Sequence, residues 1–224
     1  VVHPDRRDLR ELAEPLAVRD VVAERVVVAA VAAMAESSPV VNDSNQLVYT
    51  VGEGETYTVA AAWEASYAGI VKEGAGKLVV SVANASFAKP VFVNAGVLEA
   101  SVDKALGADV VTVASGAAIN ITQTGCGQST YYNTTLKNVI IAGTGPDGLG
   151  AITFNGGGSA DQYFPRVTLS ADATIGGRTR WGARVFNLAG HTLTVDSPGT
   201  YLMFNGTTFL NPGHVVANNV TFQG

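Results

Sequence analysis

Apolar residues occur in short pairs and triplets along most of the chain, and small or turn-forming residues separate them. The clearest stretch is 73–121, where apolar runs at 78–80, Val91–Val93, 97–98 and Val110–Val113 alternate with Gly, Asn, Ala or Ser. Short apolar runs bounded by turn residues are typical of short strands joined by tight corners. The pattern therefore predicts a coil of stacked strands that repeats turn after turn.

The same pattern extends from Asn45 to the C-terminus, and almost no helical periodicity lies between the runs. The predicted strands are 46–51, 56–60, 77–82, 91–94, 97–100, 110–113, 118–122, 137–142, 151–154, 166–169, 184–188, 192–195, 200–204, 214–216 and 219–222. Alternating strands and helices of an α/β fold are not indicated. Residues 45–224 are therefore predicted to form one all-β domain, a parallel β-helix.

The N-terminal segment differs from the rest because residues 6–38 contain many helix formers, one proline and almost no glycine. Pro15 is predicted to start or kink a helix. An approximate helical stripe follows it, formed by Leu16, Val22, Val26, Ala30, Ala33 and Met34. The run 26–28 is β-branched, so helix and strand both remain open for residues 16–36. Residues 1–44 are predicted to be a helical cap or assembly segment.

Charge is scarce and unevenly distributed. Charged residues make up 15% of the 224 residues, against about 25% in an average soluble domain, and 12 of the 33 lie in residues 1–36. A body so poor in charge is expected to hide part of its surface against copies of itself. The net charge of −5 provides no basic stripe for nucleic acid. No stretch is long and apolar enough to predict a membrane span.

Residues 73–121 resemble the autotransporter-associated β-strand repeat, a passenger-type repeat of bacterial surface proteins. The matching motifs are Gly74-Ala75-Gly76-Lys77-Leu78, a corner at Asn84, Val93-Asn94-Ala95-Gly96-Val97-Leu98, Ala105-Leu106-Gly107, Val111-Thr112-Val113 and Gly116-Ala117. Residues 139–195 are similar to segments found between such repeats. The two stretches cover about half of the chain. The sequence departs from the family pattern at 87–90, where Phe-Ala-Lys-Pro stands in place of a Gly-rich corner.

The resemblance implies a right-handed parallel β-helix that is exported to the bacterial cell surface and has no catalytic residues. Gly, Asn or Asp suits the corners of such a coil, and inward Val, Leu, Ile and Phe would stack from turn to turn. The ends of the coil would expose backbone and apolar side chains, so each end needs a cap or a partner chain.

Few residues suggest reaction chemistry. His3, His191 and His214 are far apart and have no cysteine or carboxylate at metal-ligand spacing, so neither a metal nor a cofactor is predicted. Cys126 is the single cysteine, which excludes an intrachain disulfide and favours a small structural thiol. The glycine-rich run 143–148 lacks the Gly-Lys-Ser/Thr ending of a phosphate loop and is predicted to be a corner or a protruding loop.

One cluster resembles the polar face of a polysaccharide-cleaving β-helix. Its members are Asp161, Asp172, Arg178, Arg180, Trp181 and Arg184. Two carboxylates at a suitable separation could hydrolyse a glycosidic bond. Arg178, Arg180 and Trp181 could instead contact a glycan by charge and stacking. In the simplest interpretation salt bridges hold a loop and Trp181 covers the edge of the core, and no enzyme is predicted.

These observations favour a non-enzymatic structural protein of the bacterial cell surface that assembles with copies of itself into an extracellular filament or layer. The alternative is a carbohydrate-binding or polysaccharide-cleaving β-helix, with surface glycans as partners. The predicted assembly contact lies in the N-terminal segment. It consists of Leu16, Val22, Val26, Val27, Val31 and Met34.

Overall fold

The computed structural model describes residues 38–123, 136–157, 160–178, 181–200 and 206–220. The chain divides into two units, Val1–Glu36 and Ser37–Gly224, and the description that follows concerns the second. The strands are β1 (Val40–Val41), β2 (Gln46–Thr50), β3 (Thr56–Val59), β4 (Gly69–Glu73), β5 (Lys77–Val80), β6 (Val91–Val93), β7 (Gly96–Ala100), β8 (Val110–Val113), β9 (Ala117–Ile121), β10 (Asn138–Gly143), β11 (Ile152–Phe154), β12 (Ala160–Phe164), β13 (Val167–Gly177), β14 (Trp181–Ala183), β15 (Val185–Asn187), β16 (Thr192–Thr200), β17 (Thr208–Leu210) and β18 (His214–Val220).

The strands form a β-solenoid of about seven turns, which confirms the predicted all-β fold built from parallel coils. A first sheet contains β2, β4, β6, β8, β10, the start of β13, β15 and β17; a second contains β3, β5, β7, β9, β11, the end of β13, β16 and β18. All of these pairings are parallel. The described ranges contain no helix, and the predicted helix over the N-terminal segment lies outside them.

Inward side chains stack in columns because each strand pairs in register with its counterpart one turn away. In the second sheet Leu78 pairs with Leu98 and Leu98 with Ile119, so that a turn takes 20 or 21 residues. Ile119 pairs in turn with Ile152, and all four side chains are fully buried. The stacked columns give the solenoid a continuous apolar core, as in other repeat architectures.

Corner residues are fixed by close backbone approach and by a buried amide. Gly96 has φ +64°, and a Cβ at this position would lie 2.3 Å from the Gly76 carbonyl oxygen, so only glycine fits. Asn84 links three successive turns. Its Oδ1 accepts from the backbone N–H of Trp63 at 2.8 Å, and its Nδ2 donates to the backbone carbonyl of Ala105 at 2.9 Å. The corner predicted at Asn84 is therefore a structural bridge.

The structure differs from the predicted strands in several places. The strands that were not predicted are β1, β4, β12, β14 and β17. β13 is 11 residues long and continues from the first sheet into the second, and β18 is one strand where two were expected. Residues 38–44 belong to the second unit, because β1 pairs antiparallel with β2 through a turn capped by Asn42. The solenoid unit thus begins before the predicted boundary at residue 45.

Candidate functional site

The predicted assembly residues, Leu16, Val22, Val26, Val27, Val31 and Met34, lie outside the described residues, as do Arg180 and Cys126. Their roles stay predictions. The side chain of Asp161 is likewise outside the description. Two features of the described residues could take part in binding: the two ends of the solenoid and the outer side of its second sheet.

The C-terminal end of the solenoid exposes apolar side chains on its last two strands. Phe209 and Leu210 of β17 are 40% and 37% exposed, and Val215 and Val216 of β18 are 40% and 42% exposed. β17 pairs with β15 and β18 with β16, and no strand of the described ranges pairs with their other sides. We call these four side chains and the edges of their strands the C-terminal edge. Such an edge can accept a further strand.

The N-terminal end is built differently. The short strand β1 lies antiparallel on β2 and closes the edge of the first sheet, while Val40 and Val41 are 59% and 51% exposed. β3 forms the edge of the second sheet, and among the described strands it pairs with β5 alone. Among the described strands the two ends therefore differ: a short antiparallel strand covers the first sheet at the N-terminal end, and β17 and β18 are the last strands of both sheets at the C-terminal end.

A groove of about 250 Å³ lies on the outer side of the second sheet. We call it the outer groove. The described residues that line it are Leu149, Thr153, Asn155, Gly177, Arg178 and Asp196. They come from three consecutive turns, because Thr153 pairs with Gly176 and Gly176 with Asp196.

The loop between β10 and β11 forms one wall of the outer groove. The Gly150 N–H donates to the Thr144 carbonyl at 2.8 Å, and the Leu149 N–H donates to Asp147 Oδ1 at 3.0 Å, so the loop is closed on itself. A Cβ at Gly176 would lie 2.5 Å from the Leu149 carbonyl oxygen, which shows how closely the loop crosses β13. This glycine-rich segment is the protruding loop predicted from the sequence, and it leaves the Leu149 side chain 62% exposed.

Polar side chains next to the groove form a hydrogen-bonded ladder along the outer face. Asn120 Oδ1 accepts from Asn155 Nδ2 at 2.8 Å and from the Thr153 hydroxyl at 3.1 Å. Asn120 Nδ2 donates to Glu99 Oε2 at 3.2 Å, and Glu99 pairs with Lys77 at 3.2 Å. Each side chain is thereby fixed by its neighbour one turn away, so the positions of Thr153 and Asn155 are set by this ladder.

The cluster that resembled a polysaccharide-cleaving face is divided among separate structural roles. Trp181 is fully buried among aromatic rings, and its indole N–H donates to the Gly176 carbonyl at 3.0 Å. No face of this ring is open to a sugar, so the proposed stacking by Trp181 is corrected: the side chain belongs to the core. Asp172 Oδ1 accepts from the Thr192 N–H at 2.8 Å and lies 3.8 Å from His191 Nδ1. Arg178 lines the outer groove.

Sequence reasoning missed a buried lysine. Lys72 of β4 is 0% exposed and stands in an inward column between Tyr49 and Val93. Burial lowers its pKa to about 8, and the nearby Glu73 carboxylate acts in the opposite direction. The apolar run Gly69–Val71 could have indicated this strand, but lysine is not expected at a core position.

Tyr49 is the second strongly perturbed group. Burial raises its pKa to about 12, and the neighbouring Trp63 indole acts in the opposite direction. The Trp63 indole N–H makes no well-aligned hydrogen bond to any described atom. Burial is therefore the cause that raises the pKa of Tyr49. Lys72 and Tyr49 both face the core, which makes them elements of stability rather than of a surface site.

Within the described ranges no three His, Cys, Asp or Glu side chains are grouped as metal ligands would be. The described ranges also contain no helix that is long and apolar enough to cross a membrane. Comparison of the chain with models of known protein families, with curated proteins and with solved structures finds no match. The functional argument therefore rests on the solenoid ends and the outer groove.

Proposed function

We propose that this protein is a non-enzymatic structural protein whose solenoid units join end to end into a filament or layer. The observation that supports it is the distribution of exposed apolar side chains. Six of the seven large apolar side chains that are exposed in the described ranges lie at the two ends of the solenoid, and the seventh, Leu149, lies on its side.

The ends are suited to pairing because each presents strand edges as well as apolar side chains. At the C-terminal edge, β17 and β18 pair with no further strand among the described residues, and the edge of a sheet can bind another strand. Parallel strands lie about 4.8 Å apart, so a second copy docked there would continue the ladder of both sheets. Exposed Val, Phe and Leu would be buried in the same contact.

The two ends differ, which determines the kind of assembly. β1 lies on β2 at the N-terminal end, whereas no described strand lies beyond β17 and β18 at the C-terminal edge. A contact between two different surfaces of identical chains is heterologous and propagates as an open fibre unless the rotation closes a ring. Joining of unlike ends therefore leads to an open polymer or a ring, and not to a two-fold dimer.

The proposed location, the bacterial cell surface, is supported by the resemblance of residues 73–121 to an autotransporter-associated repeat. The N-terminal segment is proposed to take part in the same contact. Its stripe from Leu16 to Met34 is apolar, and most of the stability of a helix in a protein comes from the packing of such a face. Docking of this stripe on a neighbouring unit would bury it.

The test is a pair of charge insertions at equally apolar, exposed positions. Val215→Lys places a charge at the end of the inward column that contains Leu193, and Leu149→Lys places the same charge on the side of the solenoid. Sedimentation velocity and negative-stain electron microscopy should show polymers for the wild type and for Leu149→Lys, and short species or monomers for Val215→Lys. A wild-type protein that stays monomeric at high concentration would refute the proposal.

Deletion of residues 1–38 tests the N-terminal contribution separately. Loss of ordered polymers with an unchanged far-UV circular dichroism spectrum of the solenoid is the expected result. Filaments of unchanged appearance after the deletion would restrict the contact to the solenoid ends and remove the N-terminal segment from it.

A further inference from the structure

We propose that the end-to-end contact has one defined register, in which β17 of one copy pairs antiparallel with β1 of the next. In this register Leu210 lies opposite Val40, and Phe209 lies opposite Val41. The inference rests on the proposed end-to-end assembly and deepens it, because it names the strands and the side chains that meet.

One inward column runs through the whole first sheet. Its members, in register from turn to turn, are Leu47, Ile70, Val91, Val111, Val139, Val167, Phe186 and Phe209. Val41 pairs with Leu47 and forms the outermost layer at the N-terminal end. Val41 is 51% exposed and Phe209, whose ring stacks on Phe186, is 40% exposed, whereas the side chains from Ile70 to Phe186 in this column are fully buried. The column is therefore covered in its middle and exposed at both ends.

The neighbouring row faces outward and ends in the same way. It starts at Val48, which pairs with Val40, and it reaches Leu210 as the last position of the same register. Val40 is 59% exposed and Leu210 is 37% exposed. A second copy that continues both rows brings the exposed ends together in two adjacent cross-strand pairs. Apolar cross-strand pairs of this kind stabilise a sheet.

The direction of the pairing follows from β1. The strands of the first sheet from β2 to β17 are parallel to each other, and β1 runs antiparallel to β2. The next copy therefore presents an antiparallel strand to β17. Antiparallel pairing is slightly more stable per residue than parallel pairing, which favours so short a contact.

Charge favours a contact between unlike ends. The first turn, 38–66, carries the exposed side chains of Asp43, Glu53, Glu55 and Glu64 and contains no Lys or Arg. The described part of the last turn, 206–220, contains no Asp, Glu, Lys or Arg. Two N-terminal ends would bring these carboxylates together, whereas the uncharged last turn does not oppose them. Pairing of β1 with a second β1 is therefore disfavoured.

β1 also gives the first sheet one strand more than the second. Each sheet has eight parallel strands among the described residues, and β1 is added to the first. When β17 meets β1, β18 stands about 10 Å from β3 of the next copy, two strand spacings, which leaves room for one strand. Val215 and Val216 of β18 are exposed there. A space one strand wide beside β18 of a neighbouring copy fits the β-branched run 26–28, and the deletion of residues 1–38 described above tests this part.

Disulfide trapping tests the register. In a Cys126→Ser background, Val40→Cys and Leu210→Cys are introduced together, at two exposed positions that the register places directly opposite each other. The Cα separation of such a pair permits a disulfide. Oxidation with copper–phenanthroline should give a ladder of cross-linked multimers on a non-reducing gel. The matched control combines Val40→Cys with Thr208→Cys, two positions away on the same face of β17 and about 7 Å out of register, and should give no ladder.

The other outcomes separate this register from the assembly itself. Dimers as the main product of Leu210→Cys alone, or of Val40→Cys alone, would show that like ends meet and would overturn the proposal. A ladder from the Thr208→Cys pair, or none from the Leu210→Cys pair in polymers that sedimentation still detects, would overturn the register and leave end-to-end assembly standing. Absence of polymers in the wild type would refute the assembly and this register with it.

A charge exchange keeps the register testable if the cysteine variants do not assemble. Val40→Glu and Leu210→Lys should each raise the concentration needed for polymers by roughly fivefold, the equivalent of one cross-strand pair. Their combination should restore it toward the wild-type value, because opposite charges then face each other. Unimpaired assembly of both single variants, or a combination that restores nothing, would contradict the pairing of these two side chains.

Discussion

Replacement of Lys72 by methionine should remove a pH dependence from the free energy of unfolding. The Lys72 ammonium group is buried at the corner after β4 and has three acceptors. Its Nζ donates to the carbonyl oxygens of Glu73 and Gly74, each at 2.7 Å, and of Ala95 at 3.1 Å. Three donors meet three acceptors, so the charged form is fully hydrogen-bonded although it is removed from water.

The direction of the pH effect follows from the lowered pKa. In the folded protein the pKa of Lys72 is about 8, below its ordinary value of 10.5. The unfolded chain therefore holds this proton more tightly, and the folded state gains stability as the pH rises from 8 toward 10.5. The gain is complete above the unfolded pKa and is lost as the pH falls through about 8.

The magnitude is at most about 2.5 kcal/mol between pH 7 and pH 10, and about 1.3 kcal/mol by pH 9, from the linkage of these two pKa values. The three carbonyl acceptors favour the charged form, which places the measured gain toward the lower part of that range. At pH 7 the methionine variant loses the donor to the carbonyls of Glu73, Gly74 and Ala95, at about 1–3 kcal/mol for each carbonyl, but it also removes the buried charge. These terms have opposite signs, so the slope with pH is the informative quantity.

The assay is urea unfolding of wild type and Lys72→Met at pH 7, 8, 9 and 10, followed by circular dichroism. The stability difference should change by one to two kcal/mol across the series, in favour of the wild type at high pH. Lys77→Met, at a lysine whose side chain is 43% exposed, is the matched control for loss of a lysine outside the core. Parallel curves for wild type and Lys72→Met would refute the argument from burial.

Three further predictions concern stability at neutral pH and can be measured by the same urea titration. Asn84→Ala leaves the Trp63 N–H and the Ala105 carbonyl without their partner and should cost about 2–4 kcal/mol, whereas a cost below about 0.5 kcal/mol would show that the bridge is dispensable. Gly96→Ala combines a positive φ with a Cβ 2.3 Å from a carbonyl oxygen and should cost about 2–4 kcal/mol; an unchanged midpoint would contradict the close approach. Ile119→Ala, in the middle of a buried column, should cost about 2–5 kcal/mol, and a smaller loss would mean that the column collapses around the gap.

The fold could be predicted where one turn of the chain resembles the next. Strands β5 to β9 were predicted within one or two residues, because their apolar runs recur after 20 or 21 positions and are bounded by Gly or Asn. Each position then has the same role in consecutive turns, so local pattern and three-dimensional register agree.

The strands that were missed lack this agreement. β4 carries Lys72 at an inward position. A lysine in a sequence predicts an exposed position, and the three carbonyl acceptors that allow its burial are visible only in the structure. β12 contains Asp161 and Gln162, so its sequence resembles a loop. β14 is the three-residue run Trp181–Ala183, whose strand character comes from pairing with β12 and not from its own pattern.

The outer groove could not be predicted as a unit, because its residues are far apart in the sequence. Arg178 was selected from a local run of arginines beside Trp181, yet the described residues that line the groove with it include Leu149, Thr153 and Asp196. Only the register that places Thr153, Gly176 and Asp196 on neighbouring strands brings these side chains together. The sequence signal for Trp181, an aromatic residue between arginines, pointed to a surface role that its burial contradicts.

Insertions explain why a regular core can carry an irregular surface. The turn from Ile119 to Ile152 takes 33 residues, against 21 from Leu98 to Ile119, yet both pairs remain in register. The additional residues leave the core columns unchanged and include the loop that forms the wall of the outer groove. Because that groove opens to the side, stacking of units along the strand edges would not cover it. A polymer joined at its ends would then present one outer groove per chain.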